Sequence, residues 1–221
     1  MLNIRDAASI VVIRSYNKKN LVLMGRRGSQ ATFMPSKYVF PGGAWEPDDC
    51  KVPTSTRLGK QDRQLLELDS KVLNSSSLGV TAIRELWEET GLRISSPIPP
   101  VNVPDKWMNF FSNGYGPNLE PLQFFFRAIT PPGRTRRFDA RFFVCNAKYI
   151  LGDVENFSRA SMELSDLRWV NITETNELDL PQITKIVIRQ VVKLIDLQFE
   201  FKSIPFYNGG SDGSENKLLK I

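Results

Sequence analysis

The chain contains no histidine. That single absence excludes Ser-His-Asp and Cys-His catalysis, an imidazole general base, and every zinc or iron site that needs a His ligand. Cysteine is almost as scarce. Cys50 and Cys145 are too few for a four-cysteine zinc site or a disulfide framework, and they read as isolated thiols. No apolar stretch approaches the roughly 20 residues of a membrane span. Asp6 precedes the short apolar run Ile10–Ile13, so the beginning of the chain does not read as an export signal, and the end, Leu218-Leu219-Lys220-Ile221, carries no peroxisomal Ser-Lys-Leu. A cytoplasmic setting without a membrane partner is therefore expected. Neither a GxGxxG nor a GxxxxGK[ST] loop is present, which argues against a doubly wound nucleotide fold. Basic charge is also modest: 29 Lys and Arg against 24 Asp and Glu leave +5. That balance would draw in an anionic, nucleotide-type small molecule but lacks the concentrated basic stripe of a nucleic-acid binder. Any catalysis must come from carboxylates, Lys, Arg, Tyr, or a hard metal ion held by oxygen.

What remains fits one ordinary domain with an insertion: 221 residues, 41% apolar and 24% charged. The apolar runs Ala8–Ile13 and Leu21–Met24 flank polar Ser15–Asn20 and predict paired strands. Tyr38-Val39-Phe40 runs straight into Pro41-Gly42-Gly43, a strand ending where the backbone must come close to something. The stretch from 46 to 77 turns polar and is predicted to be an inserted excursion, about 50–77, with one helix over Asp62–Leu73 on the spacing of Leu65, Leu68 and Val72. The next helix is better marked. Ser76 or Ser77 caps it, Val80, Ile83, Leu86 and Trp87 form its stripe, and Gly91 ends it. Ser95–Pro104, with four prolines, reads as loop, and Asp105–Phe111 as a short amphipathic piece. Leu122–Ile129, Phe138–Cys145 and Leu167–Val170 read as strands, and Ile183–Leu197 as a helix behind Pro181. The tail 208–221 reads as flexible, leaving 1–207 as a single domain. The irregular alternation of strands and helices predicts an α+β fold, a mixed sheet flanked by helices.

One segment carries chemistry: Arg84-Glu85-Leu86-Trp87-Glu88-Glu89-Thr90-Gly91-Leu92. On a helix, Glu85 lies three and four positions from Glu88 and Glu89, so three carboxylates crowd one face. Like charges at that spacing repel unless a cation sits among them, and oxygen-only donors select Mg²⁺ or Mn²⁺. The alternative is a solvated acidic face.

The pattern R-E-apolar-x-E-E-x-G-apolar is the second half of the Nudix box, and at this point the chain resembles the Nudix hydrolase family. Gly43 fits the glycine that opens the box. The sixth residue after it is Asp49 where the box has Glu, and Arg84 lies far beyond the usual spacing, so the polar excursion falls inside the box. Glu46 matches the Glu of the GGxxE form of the loop. Phe33-Met34-Pro35, Tyr38–Gly43 and the insertion resemble a subgroup that includes peroxisomal coenzyme A diphosphatases and bacterial relatives. So do Ile129-Thr130-Pro131, Arg136-Arg137-Phe138-Asp139-Ala140-Arg141-Phe142-Phe143, and Glu163-Leu164 followed by Leu167-Arg168-Trp169-Val170.

The resemblance implies a Nudix-type α/β/α sandwich and Mg²⁺- or Mn²⁺-dependent hydrolysis of a nucleoside diphosphate linked to another moiety, with coenzyme A or an acyl-CoA favoured. The alternatives are ADP-ribose or another nucleotide sugar, and a non-catalytic Nudix domain that binds a nucleotide or RNA. It implies metal ligation by Glu88 and Glu89, a ligand or general-base role for Glu85, carboxylate orientation by Arg84, and a backbone contact from Gly43 to metal or phosphate. Asp49 either supports Arg84 or is a plain loop carboxylate. Glu163 is a candidate late acid, with Glu155, Glu120 and Glu174 as competitors. Arg136, Arg137 and Arg141 would grip phosphates or line a solvent face, with Glu46 also a candidate at the substrate. Trp107, Phe110, Phe111 and Tyr115 would stack on a purine or belong to the core. The insertion would cover the site, mediate a homodimer, or hang free.

Overall fold

A computed structural model describes residues 4–68, 74–201, 203–208 and 216–220. β1 (Ile4–Tyr16) and β2 (Lys19–Arg27) form a hairpin. Its two turn residues, Asn17 and Lys18, both have positive φ, which matches the twist of the flanking strands. Beyond the hairpin end, the two strands splay apart. Into the gap runs the segment containing β3 (Tyr38–Val39) and β4 (Gly42–Ala44): β3 pairs with β2, then β4 pairs with β1. This wedge sets Gly42 and Gly43 opposite Ser9 and Ala8. α1 (Lys60–Glu67) and α2 (Ser76–Thr90) follow. Then β5 (Ser95–Pro97) pairs with β6 (Tyr115–Pro117). The chain continues through β7 (Gln123–Ile129), β8 (Arg137–Asn146), β9 (Leu164–Asn171), α3 (Gln182–Asp196), β10 (Ser203–Tyr207) and β11 (Asn216–Lys220). The main sheet has the order β11-β10-β7-β8-β1-β2-β3, with β4 beside β1 and β9 beside β2. β1/β8 and β7/β10 are parallel and the other pairs antiparallel, so the sheet is mixed as expected.

Both faces of this sheet are covered. Alternate residues of β1 and β8 (Ala8, Ile10, Val12, Phe143 and Cys145) join Leu65, Ile83 and Leu86 of α1 and α2 in one core. The intervening residues (Val11, Ile13, Phe142 and Val144) join Val187, Val191 and Leu194 of α3 in a second. Each fully buried Ile or Leu contributes about 1.5–3 kcal/mol. The expected stripes of α2 and α3 therefore hold. The alternation of β8 separates two cores rather than core from solvent.

Several boundaries shift. α1 begins at Lys60, and its chain turns extended at Leu68. Its buried pair is Leu65 and Leu66, while Leu68 is exposed, and residues 69–73 of the expected helix lie outside the described residues. Ser75, not Ser76 or Ser77, holds the cap position of α2, and Asn74 accepts from the Ser76 N–H at 3.1 Å. Gly91 ends α2 as expected, with φ 77° and its N–H on the Trp87 carbonyl at 2.8 Å. Ser95–Pro97 is a strand where proline content predicts loop: the first three residues of that run precede most of the prolines. Of the tail 208–221, expected to be flexible, residues 209–215 and 221 lie outside the described residues, and 216–220 are corrected. Asn216–Lys220 pair with β10, and Leu219 is buried.

The insertion does not hang free. Val52, Leu58, Leu65 and Leu66 are buried in the α2-side core, the Ser55 N–H donates to the Pro117 carbonyl, and Arg127 Nη1 donates to the Leu68 carbonyl at 2.8 Å. Asp62 fixes α1 to β7 by accepting the Phe124 N–H at 2.8 Å. Burial pushes its carboxyl up to about 6 from 3.8 against the help of backbone donors. A raised carboxyl favours the protonated fold, so the contribution of Asp62 to stability is greatest below about pH 4 and declines as pH rises through 4–6. Asp62→Asn keeps the acceptor and is expected to stabilise the protein by on the order of 1–2 kcal/mol at pH 7.5 and by nothing at pH 4, the larger full shift being discounted for solvent screening. Urea melts at the two pH values check this, and equal effects at both would contradict it.

Candidate active site

The site forms where the wedge meets α2. Arg84, fully buried, is its hub. Nε donates to Asp49 Oδ1 at 2.9 Å and Nη2 to Asp49 Oδ2 at 3.2 Å, a two-point grip. Nη2 also donates to the Ala44 carbonyl at 2.8 Å, and Nη1 donates to Glu85 at 2.7 Å and Glu88 at 3.1 Å. One planar fork thus ties the wedge, the insertion's first turn and two carboxylates of α2 into a single unit. Burial opposes the guanidinium's charge, but the hydrogen bond to Asp49 and the charges of Glu85, Asp49 and Glu88 outweigh it and hold the proton more firmly than usual.

Asp49 is buried and further accepts from Thr81 Oγ at 2.8 Å and from the Glu46 N–H at 3.1 Å. It is therefore the supporting acid for Arg84, not a loop carboxylate. The shorter Asp reaches because Pro47–Lys51 forms a 3₁₀ turn that brings it over α2.

Glycine is required on both sides of the wedge tip. A Cβ on Gly42 would fall 2.7 Å from the Ser9 Cα, and one on Gly43 would fall 2.4 Å from a Glu85 carboxylate oxygen. The Gly42 N–H donates to Glu89 at 2.9 Å. Burial pushes the Glu85 carboxyl up to about 7, with the Glu88 and Glu163 charges adding and Arg84 opposing. Burial also raises Glu88. Glu89 stands well above the ordinary range, through burial and then the charge of Glu85, despite the Gly42 N–H. These three carboxylates are short of positive charge.

A crystal structure of a Nudix hydrolase from Alicyclobacillus acidocaldarius is 29% identical and superposes with a TM-score of 0.67, covering 86% of this chain and 91% of that one. The chain has the Nudix fold. The Nudix domain of Shewanella oneidensis NrtR, crystallised with ADP ribose, superposes at a TM-score of 0.51 over 88% of this chain and 90% of that one, at 12% identity. Nudix hydrolase 7 of Caenorhabditis elegans, whose own name is provisional, is 29% identical over 170 residues, which are 77% of this chain. The chain spans about half the length of that curated relative (52%). No protein-family model matches. In sequence and in fold the chain is thus similar to Nudix hydrolases.

The other expected residues sort clearly. Glu163 is exposed on the loop before β9, where its charge acts on both Glu85 and Glu89. Its competitors sit elsewhere: Glu155 pairs with Arg14 and Glu174 with Asn171, while the Glu120 N–H bonds Thr56. Glu46 bonds Lys106, whose charge also acts on Glu88. The Arg141 expectation is corrected. Arg141 is fully buried, with Nη1 on Asp6 and on the Asp139 carbonyl and Nη2 3.3 Å from the Asp139 carboxylate, so it braces strands instead of facing a phosphate or solvent. Arg137 is half-buried and donates Nε to the Thr130 carbonyl at 2.9 Å. Trp107 and Phe110 are core, with ring centroids 5.1 Å apart, and Phe111 packs against them.

Sequence reading missed Arg27. It ends β2, its charge acts on Glu89, and its Nε is buried without a hydrogen-bond partner.

The residues fit a hard divalent cation. All donors are oxygen, three charge-starved carboxylates share one helix face, and Gly43 leaves room against Glu85. Among the described residues, acidic side chains are not drawn into a ready-made cage, because Arg84 holds Glu85 and Glu88. No helix among the described residues is long and apolar enough to cross a membrane.

Proposed function

We propose that this Nudix domain hydrolyses the diphosphate bond of a nucleoside diphosphate linked to another moiety, with coenzyme A or an acyl-CoA as the favoured substrate. The observation that carries the reading is the Arg84 hub, which holds Glu85 and Glu88, with Glu85 against Gly43 and Glu89 on the Gly42 N–H. Glu85, Glu88 and Glu89 would hold Mg²⁺ or Mn²⁺, with the Gly43 backbone completing the pocket wall. When bound, such an ion supplies charge stabilisation to the diphosphate and lowers the pKa of the attacking water. Arg84 keeps Glu85 and Glu88 facing the reaction centre. Arg27, with its unmatched Nε, is the phosphate-gripping residue, a role that passes to it from Arg141. Glu163, whose charge acts on Glu85 and Glu89, would take a proton from the attacking water as the P–O–P bond breaks.

Coenzyme A is supported by the resemblance of the stretches around Phe33–Gly43, Arg136–Phe143 and Glu163–Val170 to the coenzyme A diphosphatase subgroup. Its products would be 3′-phospho-AMP and a phosphopantetheine compound. ADP-ribose, the ligand of the Shewanella oneidensis neighbour, is the second reading. A cytoplasmic setting accords with the scarcity of cysteine.

The test is product release from a panel of coenzyme A, acyl-CoA, ADP-ribose and NADH, with Mg²⁺, Mn²⁺ or excess chelator. Cleavage is expected only with metal. Chelator-resistant cleavage would contradict the metal assignment. Tight binding of a nucleotide without cleavage would favour a binding module.

A further inference from the structure

An anionic substrate that reaches the α2 carboxylates needs a cation with donors to spare, and Arg84 has none. A guanidinium carries five N–H donors, and here each is spent. Nε serves Asp49, Nη2 serves Asp49 and the Ala44 carbonyl, and Nη1 serves Glu85 and Glu88. The side chain is also only 3% exposed. Lys106 stands next in this charge network. Its Nζ donates to Glu46 Oε2, while Glu46 Oε1 lies 4.0 Å from Arg84 Nη1, the nitrogen that donates to Glu88 at 3.1 Å. The Lys106 charge acts on Glu88 directly. An ammonium has three donors, and among the described residues Glu46 is the one acceptor that Lys106 meets. With its side chain 32% exposed, Lys106 can be reached from solvent.

The mount of this ammonium is fixed on α2. Lys106 lies in the 3₁₀ turn Asp105–Trp107, whose buried Trp107 meets Phe110 with ring centroids 5.1 Å apart. Phe110 in turn meets Trp87 edge to face at 5.4 Å, and Trp87 immediately precedes Glu88. A docked turn thus carries a flexible arm that ends in a point charge, which can change partners without moving the backbone. We propose that Lys106 is a substrate-binding residue whose ammonium, held in waiting on Glu46, turns to the phosphoryl oxygens of the diphosphate at the α2 carboxylates. It joins Arg27, which reaches Glu89 from the end of β2. This rests on the reading of the site as a diphosphatase, adds a residue to it, and holds whatever the non-nucleotide half of the substrate.

The experiment uses the full chain and compares wild type, Lys106→Met and Lys106→Arg by calorimetry. Two probes are titrated: Mn²⁺ alone, and imidodiphosphate, an uncleaved P–N–P analogue of the diphosphate, in excess Mg²⁺. Lys106→Met is expected to weaken imidodiphosphate binding about tenfold or more. It should bind Mn²⁺ no more weakly than wild type, because a cation beside Glu88 has gone. Lys106→Arg keeps the charge and should stay within about threefold of wild type on imidodiphosphate. Melts of the three proteins should match, since a solvent-facing ion pair contributes little. Unchanged imidodiphosphate affinity in Lys106→Met makes the Glu46 pair an ordinary surface bridge and overturns the assignment. Loss of both probes in that variant, as a disrupted site would give, overturns it too. A tenfold loss of imidodiphosphate alone, together with a wild type that cleaves nothing in the substrate panel, supports Lys106 and overturns the diphosphatase reading. Wild type that binds neither probe overturns both.

Discussion

Glu89→Gln is expected to lower Mg²⁺-dependent turnover by on the order of 10²–10³-fold, the scale of removing one charge-stabilising group from a preorganised site. The fold should not suffer. Gln keeps an oxygen to accept the Gly42 N–H, and the change removes a buried negative charge from beside Glu85. The metal-free variant is therefore expected to melt no lower than wild type, and somewhat higher. Mg²⁺ should raise the melting temperature of wild type through preferential binding to the folded state and raise that of the variant less. Turnover assays and melts with and without Mg²⁺ check both halves. Wild-type turnover in Glu89→Gln would remove Glu89 from the metal site, whatever the melts show.

Asp49→Ala is expected to have the largest effect on stability. Asp49 is buried and is the two-point partner of Arg84, and it also serves Thr81 and the Glu46 N–H. Truncating it leaves the guanidinium buried beside Glu85 and Glu88 but unanchored on the insertion side. Removing one partner of a buried ion pair costs about 3–5 kcal/mol. At this chain length that lowers the melting temperature by on the order of 10 °C. Asp49→Asn, which keeps the shape and loses the charge, should fall between. A melt within a degree or two of wild type for Asp49→Ala would show that Ala44, Glu85 and Glu88 hold Arg84 without Asp49.

The Arg84–Leu92 segment was legible because helical periodicity and box spacing coincide on the same residues, and the structure puts Arg84, Glu85 and Glu89 together as that spacing requires. Gly42 and Gly43 were legible for a related reason: paired glycines after a strand signal close approach, though not to which partner. Two failures share a cause. Arg141 read as a surface cation because its strand alternates polar with apolar residues, yet both faces of the sheet are covered, and it pairs not only with Asp139 two residues before it on the strand but also with Asp6 of β1, which no local pattern links to it. Phe110 and Trp107 read as possible base-stacking residues because aromatic content cannot say which side of a loop faces inward. The strand Asn216–Lys220 was hidden by the polar residues before it, since an edge strand needs only alternate residues, here Leu219, turned inward. Arg27 gave no signal of its own, because its chemistry depends on Glu89, which the chain reaches only after the insertion.

The wedge between β1 and β2 also bears on how the protein folds. Gly43 and Glu85 lie far apart in the chain, with the whole insertion between them, so their contact is long-range. Closing such a loop becomes only slowly more costly with length, about 0.6 kcal/mol for each doubling, but it cannot precede the surfaces that hold it shut. The hairpin and α2 are local structures and can form early, whereas the contact between them requires the sheet, the insertion and the helix to be docked already. Assembly of the candidate site is thereby tied to long-range docking rather than to local structure alone. A chain that has built its strands and helices but not yet seated Asp49 on Arg84 has every box residue present and no site.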